Sequence, residues 1–212
     1  MFIPMQRDDW NRRYATSEFI WTEEANTSLK LELIGMTPGV ALDLAAGEGR
    51  NAVWLCEQGW QVHAVDFSEV ALEKAAKLAA QRGVSRQLTT ETSDLLNFIP
   101  RENGFDLVII FYLQVPMEEL RQVLRTAARA VAPEGTLLLV GHDSDNLRHG
   151  TGGPQDPEVL YTADDVAGIL AGTLSIEKAS RIERPVRRSD GMRVAIDCLV
   201  RASRSELSSR RS

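Results

Sequence analysis

The chain has 212 residues, 43% hydrophobic and 25% charged, with a net charge of −6. That length suits one domain with an ordinary core, which needs neither a disulfide nor a metal to fold. The acidic balance speaks against a broad nucleic-acid surface, which requires surplus Lys and Arg to neutralise phosphates.

The first ten residues, MFIPMQRDDW, are too short and too polar for a signal peptide. No apolar run reaches the ~20 residues of a membrane span, so a cytoplasmic protein is expected. Val40 to Leu44 reads as a first strand, followed by a glycine-containing turn and a helical stretch near Asn51–Gln58 that ends at Gly59. Gln61–Asp66 reads as a second strand. Ser68 suits the N-cap of a helix over Glu69–Gln81, whose stripe is Leu72, Ala75, Ala76 and Ala79, and Gly83 stops it. Gln87–Ser93 is a weaker third strand. Phe105–Phe111 is apolar enough to be buried on both faces.

Pro116 opens a helix with an apolar face of Leu120, Val123, Leu124, Ala127, Ala128 and Val131. Pro133-Glu134-Gly135 turns the chain into a fifth strand, Thr136–Val140. A polar, glycine-rich stretch runs from Gly141 to Leu160, and Thr162 caps a short helix, Ala163–Ala171. Ser175–Glu183 and Arg193–Ala202 close the domain as strands. Their connection, Arg184–Met192, is too short for a crossover and implies an antiparallel hairpin. The last residues, RASRSELSSRRS, read as a frayed tail. Cys56 and Cys198 lack metal-site spacing and read as reduced, buried thiols.

Alternating strands and helices predict an α/β fold: a doubly wound, mostly parallel seven-stranded sheet with helices on both faces and one antiparallel strand near the end. Ligands of such sheets bind beyond the carboxyl ends of the strands. At the end of the first strand lies ALDLAAGEGRN, where Gly47 and Gly49 allow a tight turn and Asp43 sets a carboxylate beside it. Asp66 ends the second strand, 19 residues after Gly47, where a carboxylate can accept from both hydroxyls of a ribose. Phe67 suits an adenine face, and Asp94-Leu95 suits the adenine amino group and ring.

The segment ALDLAAGEGRNAVWLCEQGWQVHAVDFSEVALEKA resembles the first βαβ unit of class I S-adenosylmethionine-dependent methyltransferases. Gly47-Glu48-Gly49-Arg50-Asn51 is similar to the tellurite-resistance and thiopurine methyltransferase-like branch. The likeness continues through FDLVIIFYLQ, Ala132-Pro133-Glu134-Gly135 and TLLLVGHD. The resemblance implies S-adenosylmethionine as cofactor. Asp43 and the backbone of Ala45, Ala46, Gly47 and Glu48 would hold its methionine end. Asp66, with Phe67 and Ser68 beside it, would hold the ribose, and Asp94 and Leu95 would frame the adenine. Backbone around Phe111 would floor the pocket, and Tyr14 and Trp21 would belong to a helical lid. Where this family usually has glycine, the chain has Ala45.

The implied organisation is a lid segment over 1–36, a cofactor-binding domain over 37–203 and a tail over 204–212. The expected acceptor is a small molecule: a thiol, a metalloid oxyanion or another small nucleophile. No catalytic residue is fixed, because an activated methyl group needs chiefly alignment. His142, just past a strand end, is the best candidate base, against the plainer reading of a hydrogen-bonded loop histidine. His142, Asp143, Asp145 and His149 have no spacing that defines a metal site, and His63 reads as a packed strand residue. No metal, membrane or broad nucleic-acid partner is expected, and the protein is expected as a monomer or homodimer. Two other readings stand beside this one. Residues 47–52 also fit the GxGxxA of a nicotinamide-dependent oxidoreductase, and a non-catalytic S-adenosylmethionine-binding module would share the same loop.

Overall fold

The computed structural model describes residues 7–16, 18–188 and 191–206. The strands form one seven-stranded mixed sheet of Rossmann-like type in the order β3-β2-β1-β4-β5-β7-β6. Two compact units divide the chain: residues 1–99 with 108–111, and residues 100–107 with 112–212.

In the first unit, α1 (Arg7–Tyr14) and α2 (Thr27–Glu32) precede β1 (Val40–Leu44), α3 (Arg50–Glu57), β2 (Gln61–Asp66), α4 (Glu69–Gln81) and β3 (Leu88–Thr92). β1 pairs with β2 and β2 with β3, all parallel. Ala41, Leu42 and Leu44 of β1 are fully withdrawn from water, as expected of a central parallel strand. β3 is Thr-rich and exposed along most of its length, which explains its weak apolar signal. The Ser68 hydroxyl accepts from the Ala71 amide at 3.2 Å and caps α4, whose buried stripe is Ala71, Leu72, Ala75, Leu78 and Ala79.

Gly49 takes the left-handed backbone expected of the turn and has a second role. It has φ +80, and a Cβ placed on it would lie 2.4 Å from the Cβ of Ala75. Its missing side chain admits α4 against the start of α3, so this glycine is required by helix packing.

In the second unit, Pro116 is the N-cap of α5 (Met117–Ala130), and Leu120, Val123, Leu124, Ala127 and Ala128 are buried as the pattern predicts. β4 (Phe105–Phe111) has its first half in this unit and its last four residues in the other. β5 runs from Val131 to His142 and is longer than the expected Thr136–Val140. Glu134 takes φ +62 where the turn was expected, yet its amide donates to the Arg204 carbonyl (2.9 Å), and the Arg204 amide donates to Gly135 (3.0 Å). The backbone thus stays laddered through the proline-glycine segment. Arg204, read as the first tail residue, is also tied by its guanidinium to the carbonyls of Val131 (2.8 Å) and Ala128 (2.7 Å). The rest of the expected tail from residue 207 lies outside the described residues.

The stretch 141–160 contains a short α6 (Asn146–His149) and a 3-10 turn at Pro157–Val159. α7 (Ala163–Leu170) opens on a capping box between Thr162 and Asp165. β6 (Ser175–Arg188) and β7 (Gly191–Ser203) form the expected antiparallel hairpin, but their register continues to Arg188↔Gly191. The presumed connection 184–192 is largely ladder. Its strand character was hidden because charged residues alternate with half-buried Ile182, Arg184 and Val186. β7 is antiparallel to β5 as well. Among the described residues, no helix is long and apolar enough to cross a membrane.

Candidate cofactor site and the buried carboxylate of β7

The first unit gathers two carboxylates at the ends of adjacent parallel strands. Asp43 is 1% exposed and Asp66 5%. Burial, and then the negative charge of Asp66, push the Asp43 carboxyl up to about 8 against the opposing pull of Arg50 and the Ala52 amide. Oδ2 of Asp43 is buried without a hydrogen-bond partner. An unpaired buried acceptor is costly, so this oxygen is a ready place for a donor from outside the chain. Asp66 Oδ2 accepts from the Gly47 amide (2.8 Å) and Oδ1 from the Ser68 amide (2.9 Å). Burial still raises its carboxyl above the ordinary range, against the hydrogen bonds from Ser68, Gly47 and Phe67.

The connecting loop carries three residues in the left-handed region, Ala45 at φ +60, Gly47 at φ +54 and Gly49 at φ +80, and the Ala46 amide donates to the Val65 carbonyl at 3.1 Å. Non-glycine residues rarely hold this conformation, so Ala45 is the strained position where the resembling family has glycine. Tyr14 is buried, and its phenol stands over Gly47: a Cβ there would lie 3.2 Å from the hydroxyl. Burial and then the charge of Asp66 push that phenol well up.

Glu48 has partners the sequence did not suggest. Its carboxylate accepts from the amides of Ile20 (3.0 and 3.1 Å) and Trp21 (3.3 Å) and pairs with Lys74 Nζ at 2.9 Å. It clamps the N-terminal segment to α4. Asn51 ties that segment to α3, its Oδ1 accepting from the Asn26 amide at 3.0 Å, while Asn11 and Arg7 of α1 bond to Ser68 and Glu69. Trp21 is 46% exposed, with the Arg13 guanidinium 5.2 Å from its ring and equally far from that of Trp10.

Asp94 is exposed and turns the backbone locally, accepting from the Leu96 amide at 2.9 Å. Leu95 and Phe67 are half-buried and Phe111 is buried. The preceding amide, that of Ser93, donates to the Asp66 carbonyl at 3.0 Å, which ties the end of β3 to the end of β2. The structure therefore joins Asp43, Gly47, Asp66, Ser68 and Tyr14 through direct neighbours, whereas Asp94 is linked to them only through this backbone bond.

The second unit holds a cluster that sequence reasoning missed. Asp197, in the middle of β7, is fully buried. Its Oδ2 accepts from Arg184 Nε (2.7 Å) and the Tyr112 hydroxyl (2.8 Å), and its Oδ1 from Arg184 Nη2 (3.3 Å). His142 is its cross-strand partner, with Nδ1 3.2 Å from Oδ1. Burial opposes the charge on Asp197, but the adjacent His142 and the bonds from Arg184 and Tyr112 outweigh it and hold the carboxyl below its ordinary range. The visible signal was an aspartate inside the apolar run VAIDCLV. His63 meets Glu91 (3.1 Å) and the edge of Phe98 and is half-buried. Cys56 and Cys198 are free, buried thiols, each pushed up to about 12 chiefly by burial. Among the described residues no three His, Cys, Asp or Glu side chains are grouped to hold a metal.

Residues 41–135 match the family model described as a methyltransferase domain. The 2-heptyl-1-hydroxyquinolin-4(1H)-one methyltransferase of Mycobacteroides abscessus is 27% identical over 66% of this chain and 66% of its own length. Among solved structures, TehB from Haemophilus influenzae matches with a TM-score of 0.71 at 14% identity, covering 94% of this chain and 67% of that one. A SAM-dependent methyltransferase from Methanosarcina mazei matches at 0.66 and 14%, covering 87% and 100%. At such identities these structures carry the fold alone. The matches to the curated relatives span from a third to just under two thirds of those proteins' lengths, and their names include ribosomal RNA and tRNA methyltransferases. Residues 41–135 thus match a methyltransferase domain, and S-adenosylmethionine is the cofactor that this match supports.

Proposed function

We propose that this chain transfers a methyl group to a small-molecule acceptor, a thiol, a metalloid oxyanion or another small nucleophile. The carrying observation is the buried, partnerless Oδ2 of Asp43 beside the left-handed loop 45–47 and the Asp66 carboxylate. S-adenosylmethionine, when bound, supplies an activated methyl group on a sulfonium. The chain's task is then to bind, to align and to exclude water. In this reading Asp43 Oδ2 accepts from the methionine-end ammonium, and the backbone of Ala45, Ala46, Gly47 and Glu48 lines the same end. The free lone pairs of Asp66 accept from the ribose hydroxyls, with Ser68 fixing that carboxylate and Phe67 beside it. Asp94 and Leu95 meet the adenine, and backbone at Phe111 forms the floor. Tyr14 and Trp21 cover the site as part of a lid over 1–36, clamped by Glu48. The catalytic domain is 37–203, extended by Arg204, whose backbone pairs with that of Glu134 and Gly135.

A small acceptor is supported by the net charge of −6 and by the hydroxyquinolone relative. We also place the chain in the tellurite-resistance and thiopurine methyltransferase-like branch, on the run Gly47–Asn51, and expect a cytoplasmic monomer or homodimer. The nicotinamide reading is set aside by the matched domain. The decisive experiment has two stages. Calorimetry should show binding of S-adenosylhomocysteine and none of NAD. Transfer of a tritiated methyl group should then be found among thiols, metalloid oxyanions, amines and phenols. Binding without transfer to any of them would favour a non-catalytic module.

A further inference from the structure

Asp43 and Asp66 share one face of the sheet, within the first unit. β1 and β2 run parallel with Asp43 opposite Ala64, so Asp66, two residues beyond Ala64, carries its side chain on the same face as Asp43. Both are withdrawn from water, at 1% and 5% exposure. Two neighbouring carboxyl groups buried together do not both keep a full charge without a cation between them, so one holds a proton. The hydrogen bonds decide which. Asp66 receives an amide on each oxygen, from Gly47 (2.8 Å) and Ser68 (2.9 Å), and amides aimed at a carboxylate favour its charged form. Oδ2 of Asp43 receives nothing. The other groups around Asp43 leave its proton in place. Arg50, at the start of α3, pulls against it, but burial and the charge of Asp66 prevail and push the carboxyl up to about 8. The Cys56 thiol of the same helix is neutral, itself pushed up to about 12. On the other edge of β1, Val108 to Phe111 of β4 are apolar.

We propose that Asp43 carries a proton in the unliganded protein and that the α-ammonium of the bound cofactor displaces it, so that one proton leaves to water as the ligand enters. The proposal rests on the reading of Asp43 as the holder of the methionine end and deepens it. The O–H bond on Asp43 breaks, its electron pair stays on the carboxylate, and Oδ2 accepts a hydrogen bond from the ammonium in place of the proton. The two carboxyl groups hold one negative charge before binding and two after, and the ammonium offsets the second. Asp66 stays charged throughout, held by its two amides. Asp43 is thereby a specificity-determining residue. A ligand with an amino-acid end brings its own cation and drives the proton out. A ligand with the same adenosine and thioether but no amino-acid end leaves the proton where it is.

The test is calorimetry on the full chain with S-adenosylhomocysteine and with 5′-methylthioadenosine, each in buffers of different ionisation enthalpy. S-adenosylhomocysteine should release about one proton per site near pH 6 and about half as many near pH 8, and its affinity should rise roughly 10-fold from about pH 6 to about pH 7. 5′-Methylthioadenosine should release none and bind equally at both. In parallel, NMR of protein labelled at the aspartate carboxyl carbons, with Asp43→Asn to identify the signal, should show Asp43 protonated near pH 6 in the free protein and ionised once S-adenosylhomocysteine saturates it. S-adenosylhomocysteine binding without proton release, equal release by the two ligands, or an Asp43 signal already ionised in the free protein would overturn the proposal and leave the methyltransferase reading standing. Failure of S-adenosylhomocysteine to bind at any pH would overturn that reading with it.

Discussion

The Glu48 carboxylate and the Lys74 ammonium face each other at 2.9 Å, with only 3% and 12% of their side chains exposed. The pair pins residues 20 and 21 to α4 because the same carboxylate takes their amides. Breaking a buried pair strands the partner's charge, at a cost of about 3 kcal/mol. Glu48→Ala should therefore lower Tm by roughly 6–12 °C and make the segment around Ile20 the first site of limited proteolysis. An unchanged cleavage pattern would mean that the clamp does not hold the N-terminal segment.

Ala45 pays for its methyl group with a left-handed backbone. That conformation costs an L-residue about 1–2 kcal/mol, of which glycine's larger unfolded-state entropy returns about half. Ala45→Gly should stabilise the chain by about 0.5–1 kcal/mol, visible as a higher urea midpoint with an unchanged slope. A lower midpoint would show that the loop carries no strain there.

Asp43 makes stability depend on pH in an unusual direction. Its folded value of about 8 lies above the ordinary 3.8, so the folded state binds the extra proton. Its contribution is fully present below about pH 4 and is lost as pH rises through 8. Asp43→Asn mimics the protonated acid. In urea titrations of the unliganded protein, the variant should match the wild type near pH 4 and exceed it by more at each step toward pH 9. Parallel curves across that window would show that Asp43 is not a perturbed carboxyl.

Asp66→Ala should weaken S-adenosylhomocysteine binding by about 1–3 kcal/mol, through loss of charge-assisted hydrogen bonds. Because Asp66 also accepts from Gly47 and Ser68, Asp66→Asn serves as the companion that keeps an acceptor for the loop. Unaltered affinity by calorimetry in folded Asp66→Ala would remove the ribose assignment.

The sheet was legible where apolar runs were bounded by glycine, proline or a capping serine, so β2, β4 and α4 have the limits their residues predict. It was less legible where tertiary bonds override local chemistry. Glu134 sits in a turn by composition, but Arg204 pairs with its backbone and keeps β5 going. The site divided in the same way. Asp43 and Asp66 could be read because strand ends place them, whereas the clamp of Glu48 depends on Lys74, 26 residues on. The cluster of Tyr112, His142, Arg184 and Asp197 draws on four separate segments. Only His142 drew notice, because a lone aspartate in an apolar strand does not reveal its partners.

The near-contact of Gly49 with Ala75 sets a rule for recombining this chain with a relative. The two positions must come from one parent, since a crossover between them could pair a bulkier helix residue with this turn. Exchanges that carry residues 49–75 as a single block keep the fit, and libraries should leave both positions fixed.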